Sequence, residues 1–237
     1  MVDVIRIAIA GNIGAGKSTV AHAATQHPYD TTLLYAIPSE SHLKRIIASH
    51  QEEFDSALFD RYTAEPEKYA LAFQLNILLA SAQLEDRIST AGGIAIIDRS
   101  FYEHRHIFGE AQRIMERIDQ QNFAVYDKIY RRLAKDVPHP DLFVRLQADV
   151  PTLQKNIKRR GRPQEQWLIE DSSYLTLLNQ LYNRFFEENV TEPVIDIDIA
   201  KISSQEKEQL GKEQLDEQYL YNIFQKIAEK IPYLISL

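Results

Sequence analysis

The sequence predicts an α/β fold in which a five-stranded parallel sheet is flanked by helices. Short runs rich in Ile, Val and Leu alternate with longer amphipathic runs along the chain, as they do when buried strands are joined by crossover helices. The first apolar run, MVDVIRIAIAG, is followed directly by a Gly-rich turn and a helical run, which is the order of a strand, a loop and a crossover helix. No second core is evident, so we expect one domain over residues 1–237.

Five strands and seven helices account for the pattern. The strands are predicted over residues 4–10, 31–37, 94–98, 141–147 and 193–197. The helices are predicted over residues 17–26, 40–49, 67–88, 111–134, 150–159, 172–188 and 215–230. The third helix begins after Pro66, where a missing N–H costs nothing, and its wide apolar face predicts contacts with both the sheet and a partner. A polar linker over residues 198–217 separates the last strand from the terminal helix.

The composition excludes several classes of protein. With 27 Lys and Arg against 34 Asp and Glu, the net charge is −7, so the chain is not expected to be a general nucleic-acid binder. The absence of cysteine excludes disulfides and Cys-ligated metal sites. No apolar run approaches the roughly 20 residues of a membrane span, and the N-terminal run is typical of a strand, not of a signal peptide. We therefore expect a soluble cytoplasmic protein without a nucleic-acid or membrane partner.

A phosphate-binding loop follows the first predicted strand. Gly11, Gly16, Lys17 and Ser18 satisfy the pattern G-x-x-x-x-G-K-[ST], in which backbone N–H groups surround phosphate oxygens. Lys17 would reach the β- and γ-phosphates, and the Ser18 hydroxyl would ligate Mg²⁺. The residues expected to bind ATP are Gly11, Asn12, Ile13, Gly14, Ala15, Gly16, Lys17, Ser18 and Thr19. The loop does not identify the acceptor, because ATPases, GTPases and small-molecule kinases share it.

An acid and an arginine end the third predicted strand. Asp98 and Arg99 lie in GGIAIIDRSFYEHRHIF, at the carboxyl edge where open α/β sheets bind ligands. Asp98 can hold Mg²⁺ or its water, and Arg99 can offset charge on a transferring group. A structural ion pair at the strand end is the alternative.

A basic segment predicts a lid. NIKRRGRPQEQW carries four cations, which are Lys158, Arg159, Arg160 and Arg162. Clustered like charges repel, so we expect them to bind an anion such as the phosphates of ATP. A lid that closes over ATP excludes water and suppresses hydrolysis. A solvated basic helix end is the alternative.

One amide lies in an otherwise apolar helical face. In PEKYALAFQLNILL, Gln74 carries both a donor and an acceptor, so it can pair twice with the edge of a nucleobase. A glutamine that hydrogen-bonds backbone within the helix packing is the alternative.

In this order, the motifs GNIGAGKS, PEKYALAFQ, DRSFYE and RRGRPQE resemble the deoxynucleoside kinase family over residues 11 to about 186. The resemblance is closest to its bacterial deoxyadenosine/deoxyguanosine kinase branch. It implies a P-loop kinase fold with a lid near residues 158–168. It also implies phosphorylation of the 5′-hydroxyl of a deoxynucleoside by ATP and Mg²⁺, with a purine preferred. A homodimer formed through the helices around residues 74–88 and 111–134 is expected as well.

The resemblance also assigns residues to roles. Gln74 falls at the position of the family glutamine that pairs with the base, and Phe108 falls at the position of the aromatic ring that stacks on the base. Glu165 and Tyr62 fall near the positions that contact the sugar 3′-hydroxyl. The residues expected to act in catalysis are Lys17, Glu40, Asp98, Arg99, Arg160 and Arg162, with Ser18 and Asp98 on the metal.

Two positions depart from the family pattern. His104 stands where many relatives have an acid, so it is expected at the base but leaves the base preference open. The family usually ends its second strand with Glu-Pro and uses that glutamate as the general base, but this chain has Ile37-Pro38. Glu40 lies three residues beyond, so we expect it to take the proton and to bind the nucleoside. A role for Glu40 in starting a helix is the alternative.

Two other functions fit the same motifs. A nucleoside-monophosphate kinase of the thymidylate type shares the phosphate loop, the Asp-Arg strand end and the basic lid. Gln74 and the order of RRGRPQE favour a nucleoside acceptor. The missing Glu-Pro leaves open a nucleotide-binding regulator with impaired catalysis.

Overall fold

The strands form one parallel sheet, as predicted. The computed structural model describes residues 3–51, 53, 55–199 and 212–236. The five strands lie in the order β2-β3-β1-β4-β5. They are β1 (Val4–Gly11), β2 (Ile47–His50), β3 (Gly93–Asp98), β4 (Leu142–Gln147) and β5 (Val194–Asp198).

The centre of the sheet is the core of the fold. Ile7 of β1 lies opposite Ile96 of β3 and Leu142 of β4, and all three side chains are fully buried. Strands covered on both faces have nearly continuous apolar sequences, which is why β1, β3 and β4 could be predicted to within one residue at each end.

Helices and tight turns connect the strands. The helices before β4 are α1 (Lys17–Ala23), α2 (Tyr29–Tyr35), α3 (Ser56–Ala64), α4 (Pro66–Ala91), α5 (Phe101–Glu103), α6 (Glu110–Ile114) and α7 (Gln120–Leu133). Those after β4 are α8 (Val150–Arg160), α9 (Trp167–Glu170), α10 (Ser173–Glu188) and α11 (Lys212–Ile235). A π-helical stretch, His104–Gly109, joins α5 to α6, and a 3₁₀ turn, Pro163–Glu165, precedes α9. No described helix is both long enough and apolar enough to cross a membrane.

The prediction of a strand over residues 31–37 is wrong, because most of this segment belongs to α2. Tyr29 and Leu33, four residues apart, are the buried residues of α2, which is the spacing of one helical face. That face packs on α11, where the Tyr29 ring lies 5.0 Å from the ring of Phe224. A short apolar run does not distinguish a strand from a helix. Here the packing of this segment on α11, which is distant in sequence, favours the helix.

The helix predicted over residues 40–49 is also wrong, because β2 begins at Ile47. The Ile94 N–H donates to the carbonyl of Ile46 at 2.8 Å, so this segment completes the edge of the sheet. Gly93 makes the close approach possible, since a Cβ there would lie 2.5 Å from the Ile46 oxygen.

Two further helical predictions need correction. The helix predicted over 111–134 is interrupted between α6 and α7, where Glu116 has a φ of 57°, and Asp119 caps the new helix by accepting from the Asn122 N–H at 2.8 Å. Helix α3 was not predicted, although Asp55 caps it by accepting from the N–H groups of Ala57 and Leu58. The other predicted helices are present with shifted ends, and most of the predicted linker over 198–217 lies outside the described residues.

Candidate active site

A cavity of about 410 Å³ lies beside the phosphate loop, a size suited to a small ligand. It is lined by Ile13, Gly14, Gly16, Lys17, Ser18, Thr19, Gln51, Phe59, Tyr62, Thr63, Phe73, Gln74, Ile77, Asp98, Arg99, His104, Phe108, Arg160, Arg162, Gln164, Glu165, Trp167, Leu168 and Tyr174. Phosphate-loop residues form one wall, and aromatic side chains with one buried amide form another. The cavity therefore brings a phosphate site and an aromatic site together.

The phosphate loop is held from both sides by asparagines. The Asn12 Nδ2 donates to the Leu175 carbonyl and to the Asn179 side chain, each at 2.8 Å. The Asn156 Nδ2 on α8 donates to the Gly14 carbonyl at 2.9 Å. Gly16, with a φ of 90°, precedes α1 in a left-handed conformation that glycine adopts without steric cost. These contacts fix the loop in shape before any ligand binds.

Lys17 is buried in the loop, and its Nζ donates to the Asn12 carbonyl at 3.0 Å. Burial, followed by the charge of Arg99, lowers the pKa of Lys17 to about 7, while Asp98 and Glu103 oppose the shift. A desolvated ammonium with spare donors is well placed to bind an anion.

A hydroxyl and a carboxylate lie side by side at the loop. The Ser18 Oγ donates to Asp98 Oδ2 at 2.5 Å, and Asp98 is the last residue of β3. Among the described residues, no three His, Asp or Glu side chains are grouped in a way that could hold a metal.

Arg99 follows Asp98 in a strained conformation. Its φ is 77°, a region that residues other than glycine seldom occupy, and its N–H donates to the Ile9 carbonyl at 3.1 Å. The turn carries the guanidinium over the ring of Phe108, 4.1 Å from the ring centre. Residues with a strained backbone are common at functional sites, where the surrounding structure holds them in place.

The predicted lid carries an ion-pair cluster. The Nε and Nη2 of Arg160 donate to Glu165 Oε2 at 2.9 and 2.5 Å, and Arg162 Nη1 lies 3.7 Å from Oε1. The Gln164 amide donates to Asp60 of α3 at 3.2 Å. The lid segment thus contacts α3 across the cavity, with both arginines in the cavity wall.

The aromatic end of the cavity contains an amide oxygen without a partner. Gln74 is 2% exposed, and no described group donates to its Oε1. Such an atom is costly unless a ligand or water completes its hydrogen bonding. His104 lies nearby in the cavity wall, where burial and Arg99 lower its pKa to about 3, so its imidazole is neutral near pH 7.

A second group of rings forms the remaining wall. Tyr62 stacks on Phe73 with ring centres 4.7 Å apart. The Tyr62 hydroxyl interacts with Tyr174, Gln112 and Arg117. Side chains from α6, α10 and the loop between α6 and α7 therefore hold the hydroxyl at the cavity wall.

Most predicted site residues line this cavity. Those that do are Ile13, Gly14, Gly16, Lys17, Ser18, Thr19, Tyr62, Gln74, Asp98, Arg99, His104, Phe108, Arg160, Arg162 and Glu165. Gly11 and Asn12 line a smaller neighbouring cavity, and Ala15 is a buried residue of the loop.

The expected position of Glu40 needs correction. It was expected at the end of a strand over 31–37, but that segment is helical and Glu40 is exposed in the loop that follows. Its carboxylate accepts from the Ser39 hydroxyl at 3.0 Å, and hydrogen bonds from its own backbone and Ser39 lower its pKa. Glu40 is not among the residues that line the cavity, and no helix begins after Ser39.

Several cavity residues were missed by the sequence analysis. Phe59, Phe73, Trp167, Leu168 and Tyr174 add most of the apolar wall. Phe73 directly precedes Gln74, but aromatic residues at helical spacing are usually core residues. The packing of α3 against α4 brings Phe59 and Phe73 together at the cavity.

Comparison with known proteins finds a matching family model and similar enzymes. The family model for deoxynucleoside kinases matches residues 7–220. A deoxyadenosine/deoxycytidine kinase of Bacillus subtilis is 23% identical over 227 residues, which cover 95% of this chain and 92% of that enzyme. A deoxyguanosine kinase of the same organism is 28% identical over 73% of each chain. A deoxyadenosine kinase of Dictyostelium discoideum is 25% identical over 76% of this chain, which spans 65% of that enzyme's length.

Solved structures share the fold. The deoxyadenosine kinase of M. mycoides with bound dATP superposes with a TM-score of 0.67 at 23% identity, covering 92% of this chain and 98% of that one. The same kinase with bound dCTP gives a TM-score of 0.64 at 21% identity, with the same coverage.

Proposed function

Since the chain belongs to the deoxynucleoside kinase family, we propose that it transfers the γ-phosphoryl group of ATP to the 5′-hydroxyl of a deoxynucleoside. One observation carries the proposal. The unpartnered Oε1 of Gln74 and the phosphate loop lie in the walls of the same cavity. An acceptor that presents a donor to Gln74 and a hydroxyl to the loop satisfies both ends, as a nucleoside does.

The donor side of the site fits ATP with Mg²⁺. Ser18 and Asp98 place two oxygens side by side, and together with phosphate oxygens they would hold the ion. When bound, Mg²⁺ offsets negative charge on the β- and γ-phosphates. Lys17 binds the same phosphates through the donors that its bond to Asn12 leaves free.

The acceptor side fits a purine base. Gln74 offers both a donor and an acceptor to the base edge, and the Phe108 ring provides a stacking surface. Neutral His104 can donate or accept one further hydrogen bond but brings no charge. The relatives named for deoxyadenosine and deoxyguanosine support a purine preference. Tyr62 and Glu165 then face the sugar hydroxyl.

Charge and exclusion of water complete the proposed mechanism. Arg99 lies in the cavity wall with the lid residues Arg160 and Arg162, and the three guanidiniums neutralise charge that spreads over the transferring group. We propose that the lid, about residues 158–168, closes over ATP, since its Gln164 already contacts Asp60 across the cavity. A closed lid keeps water from competing with the nucleoside for the phosphoryl group.

The proposal is tested with a coupled ATP assay against the four deoxynucleosides and their monophosphates. Deoxyadenosine or deoxyguanosine should give the highest kcat/KM, and the monophosphates should give no turnover. Gln74→Leu should raise the nucleoside KM by roughly tenfold or more, since a buried partner is lost. Gln83→Leu, at an exposed position of the same helix, is the matched control. Thymidine as the best substrate would contradict the purine preference, and ATP binding without any product would favour a regulator.

We further propose that the protein works in the cytoplasm, where ATP is available, and that it forms a homodimer. Leu79 of α4 and Val125 and Ile129 of α7 are exposed apolar side chains on two helices that pack against each other. An apolar face of this kind supports pairing of two copies through the same surface.

A further inference from the structure

One buried glutamine lies behind the aromatic wall of the cavity. Gln112 of α6 is 0% exposed and does not line the cavity. Its Nε2 donates to the hydroxyl of Tyr174 on α10 at 3.1 Å, and Tyr174 does line the cavity. No described group hydrogen-bonds the Gln112 Oε1. Gln112 therefore acts on its surroundings as a donor.

The Tyr174 hydroxyl is one of a pair. It hydrogen-bonds the hydroxyl of Tyr62 on α3, which the Gln112 amide also hydrogen-bonds. The Tyr62 ring centre lies 4.7 Å from that of Phe73, and the Tyr174 ring centre lies 5.3 Å from that of Trp167. These ring contacts fix the two tyrosines, and both of them line the cavity.

Arg117 adds further donors to this pair. It lies in the loop between α6 and α7, and its guanidinium is 6.0 Å from the centre of the Tyr174 ring. Its side chain also hydrogen-bonds the Tyr62 hydroxyl. Burial raises the pKa of Tyr62, and the charge of Arg117 and the hydrogen bonds oppose that shift, as bonds donated to the hydroxyl oxygen do.

The neighbours of the two hydroxyls therefore supply donors and no acceptor. Two hydroxyls carry two protons, and the hydrogen bond between them uses one. The Gln112 nitrogen and the Arg117 guanidinium cannot accept the other. Within the described part of the chain, Tyr62 and Tyr174 have no further hydrogen-bonding side chain. One O–H group is left for a ligand in the cavity.

We propose that Gln112 is a positioning residue that makes the pair of Tyr62 and Tyr174 a hydrogen-bond donor to the sugar of the nucleoside. The inference rests on the proposed function, because it takes the sugar 3′-hydroxyl as the group at this wall. The Glu165 carboxylate lies in the same cavity wall and accepts hydrogen bonds. The 3′-oxygen then accepts from the tyrosine pair while its proton goes to Glu165, so the site selects a group that does both.

A purely structural role for Gln112 makes a different prediction. If Gln112 only fills the space between α6 and α10, its replacement harms all nucleosides equally. Gln112→Met keeps a similar size and removes both donors. Gln112→Glu supplies an acceptor instead, which draws the remaining hydroxyl proton away from the cavity. Arg117, which contacts the same Tyr62 hydroxyl, offsets the new charge.

The experiment compares kcat/KM for deoxyadenosine with kcat/KM for 2′,3′-dideoxyadenosine, which lacks the 3′-oxygen, in the coupled ATP assay. The wild type should prefer deoxyadenosine about thirtyfold or more, since the analogue leaves buried polar groups unpaired. Gln112→Met should lower this preference about threefold and Gln112→Glu about tenfold. In both variants kcat/KM for the dideoxynucleoside should stay within about twofold of the wild type.

A double variant and a matched control complete the experiment. Adding Tyr62→Phe to Gln112→Glu should lower the preference no further, since both changes remove the same hydrogen bond to the sugar. Tyr102→Phe removes a buried hydroxyl that donates to the Val137 carbonyl at 2.8 Å. Tyr102 does not line the cavity, so this variant should keep the wild-type preference.

Each outcome decides the matter. A wild-type preference in Gln112→Glu, or an equal loss with both nucleosides, overturns the inference. If Gln112→Glu does not fold, an unchanged preference in Gln112→Met overturns it alone. A wild type that uses both nucleosides equally well also overturns it and leaves the proposed function intact. A wild type that forms no product from any of the four deoxynucleosides contradicts the proposed function, and the inference with it.

Discussion

The Ser18 hydroxyl donates a hydrogen bond of 2.5 Å to the Asp98 carboxylate, which joins the first turn of α1 to the end of β3. The two side chains come from segments 80 positions apart in the chain. Their oxygens meet where the phosphate loop and the end of β3 border the cavity. This contact places the proposed Mg²⁺ ligands together before nucleotide binds.

Replacing the carboxylate should change the response to magnesium. Asp98→Asn removes the charge that would hold Mg²⁺, so kcat should fall roughly a hundredfold or more, and more Mg²⁺ should be needed to reach half of the remaining rate. The measurement is the initial rate against MgCl₂ at saturating ATP. Asp86→Asn, at an exposed position of α4, is the control. An unchanged Mg²⁺ dependence in Asp98→Asn would remove Asp98 from the metal site.

The lid arginines should act on turnover. Arg162 lies in the cavity wall, 3.7 Å from Glu165, and its charge is free to turn toward a phosphoryl group. Arg162→Ala and Lys17→Ala should each lower kcat by orders of magnitude, since the loss of such a charge costs about 3 kcal/mol or more. Lys155→Ala, at an exposed position of α8, should keep the wild-type rate. Near-normal kcat in folded Arg162→Ala contradicts the role of the lid.

The sheet centre and the site motifs could be predicted because their signals are local. Continuous Ile and Val runs identify β1 and β3, and the phosphate loop and Asp98-Arg99 follow them directly in sequence. Residues 29–50 could not be predicted, because their apolar runs are short and their structure depends on distant partners. Leu33 lies on the face of α2 that packs on α11, and Ile47 pairs with Ile94 of β3. The error in this segment is the reason that Glu40 was misplaced.

The aromatic wall of the cavity could not be predicted for the same reason. Phe59 and Phe73 lie 14 positions apart in the chain, and their ring centres come within 5.4 Å only when α3 packs against α4. In the sequence each ring looks like an ordinary core residue. Gln74 could be singled out because an amide within an apolar face stands out in the sequence alone.

Two copies of the chain should pair through α4 and α7. Val125 is 51% exposed and Leu79 is 50% exposed, so pairing would bury apolar surface that is now in water. Light scattering at micromolar concentration should give twice the chain mass of 27.4 kDa. Val125→Glu should shift the mass toward the monomer, and Gln120→Glu, an exposed change on another face of the same helix, should not. A wild-type mass near 27.4 kDa rules out the dimer.

A buried histidine, His104, and a half-buried one, His106, should make stability depend on pH. Burial is the main cause that lowers the pKa of His104 to about 3 and that of His106 to about 4. The unfolded chain takes up these protons near pH 6.5, so it binds more protons than the folded chain below that value. The free energy of unfolding should therefore be fully retained above about pH 6.5 and fall as the pH drops toward 4, at a slope approaching about 1.4 kcal/mol per pH unit for each histidine.

Denaturant titrations between pH 7.5 and 5 measure this slope. His106→Gln should make it shallower, since one of the two groups is removed. The exposed His22→Gln should retain the wild-type slope. Equal slopes in the wild type and His106→Gln would show that His106 does not contribute.

The last prediction concerns the group that takes the proton from the 5′-hydroxyl. The resemblance to the family places an acid at the end of its second strand, and the second strand of this chain is β2, not the segment before Glu40. Gln51, directly after β2, lines the cavity. Glu52 and Glu53 follow it in the sequence; Glu53 is exposed, and Glu52 lies outside the described residues. We therefore propose Glu52 and Glu53 as the candidates for the role that was expected of Glu40.

Matched substitutions separate the candidates. Glu40→Gln should keep at least about half of the wild-type kcat, since neither Glu40 nor its neighbours in the chain line the cavity, whereas Glu52 and Glu53 directly follow the cavity residue Gln51. One of Glu52→Gln and Glu53→Gln should lower kcat roughly a hundredfold or more, the range typical of a lost general base, with little change in the ATP Kd or in Mg²⁺ dependence. The combination of kcat and Mg²⁺ titration distinguishes this loss from that of Asp98→Asn. If both glutamate variants keep their activity and only Asp98→Asn loses it, Asp98 is the proton acceptor, because it is the carboxylate of the cavity wall that lies at the phosphate loop.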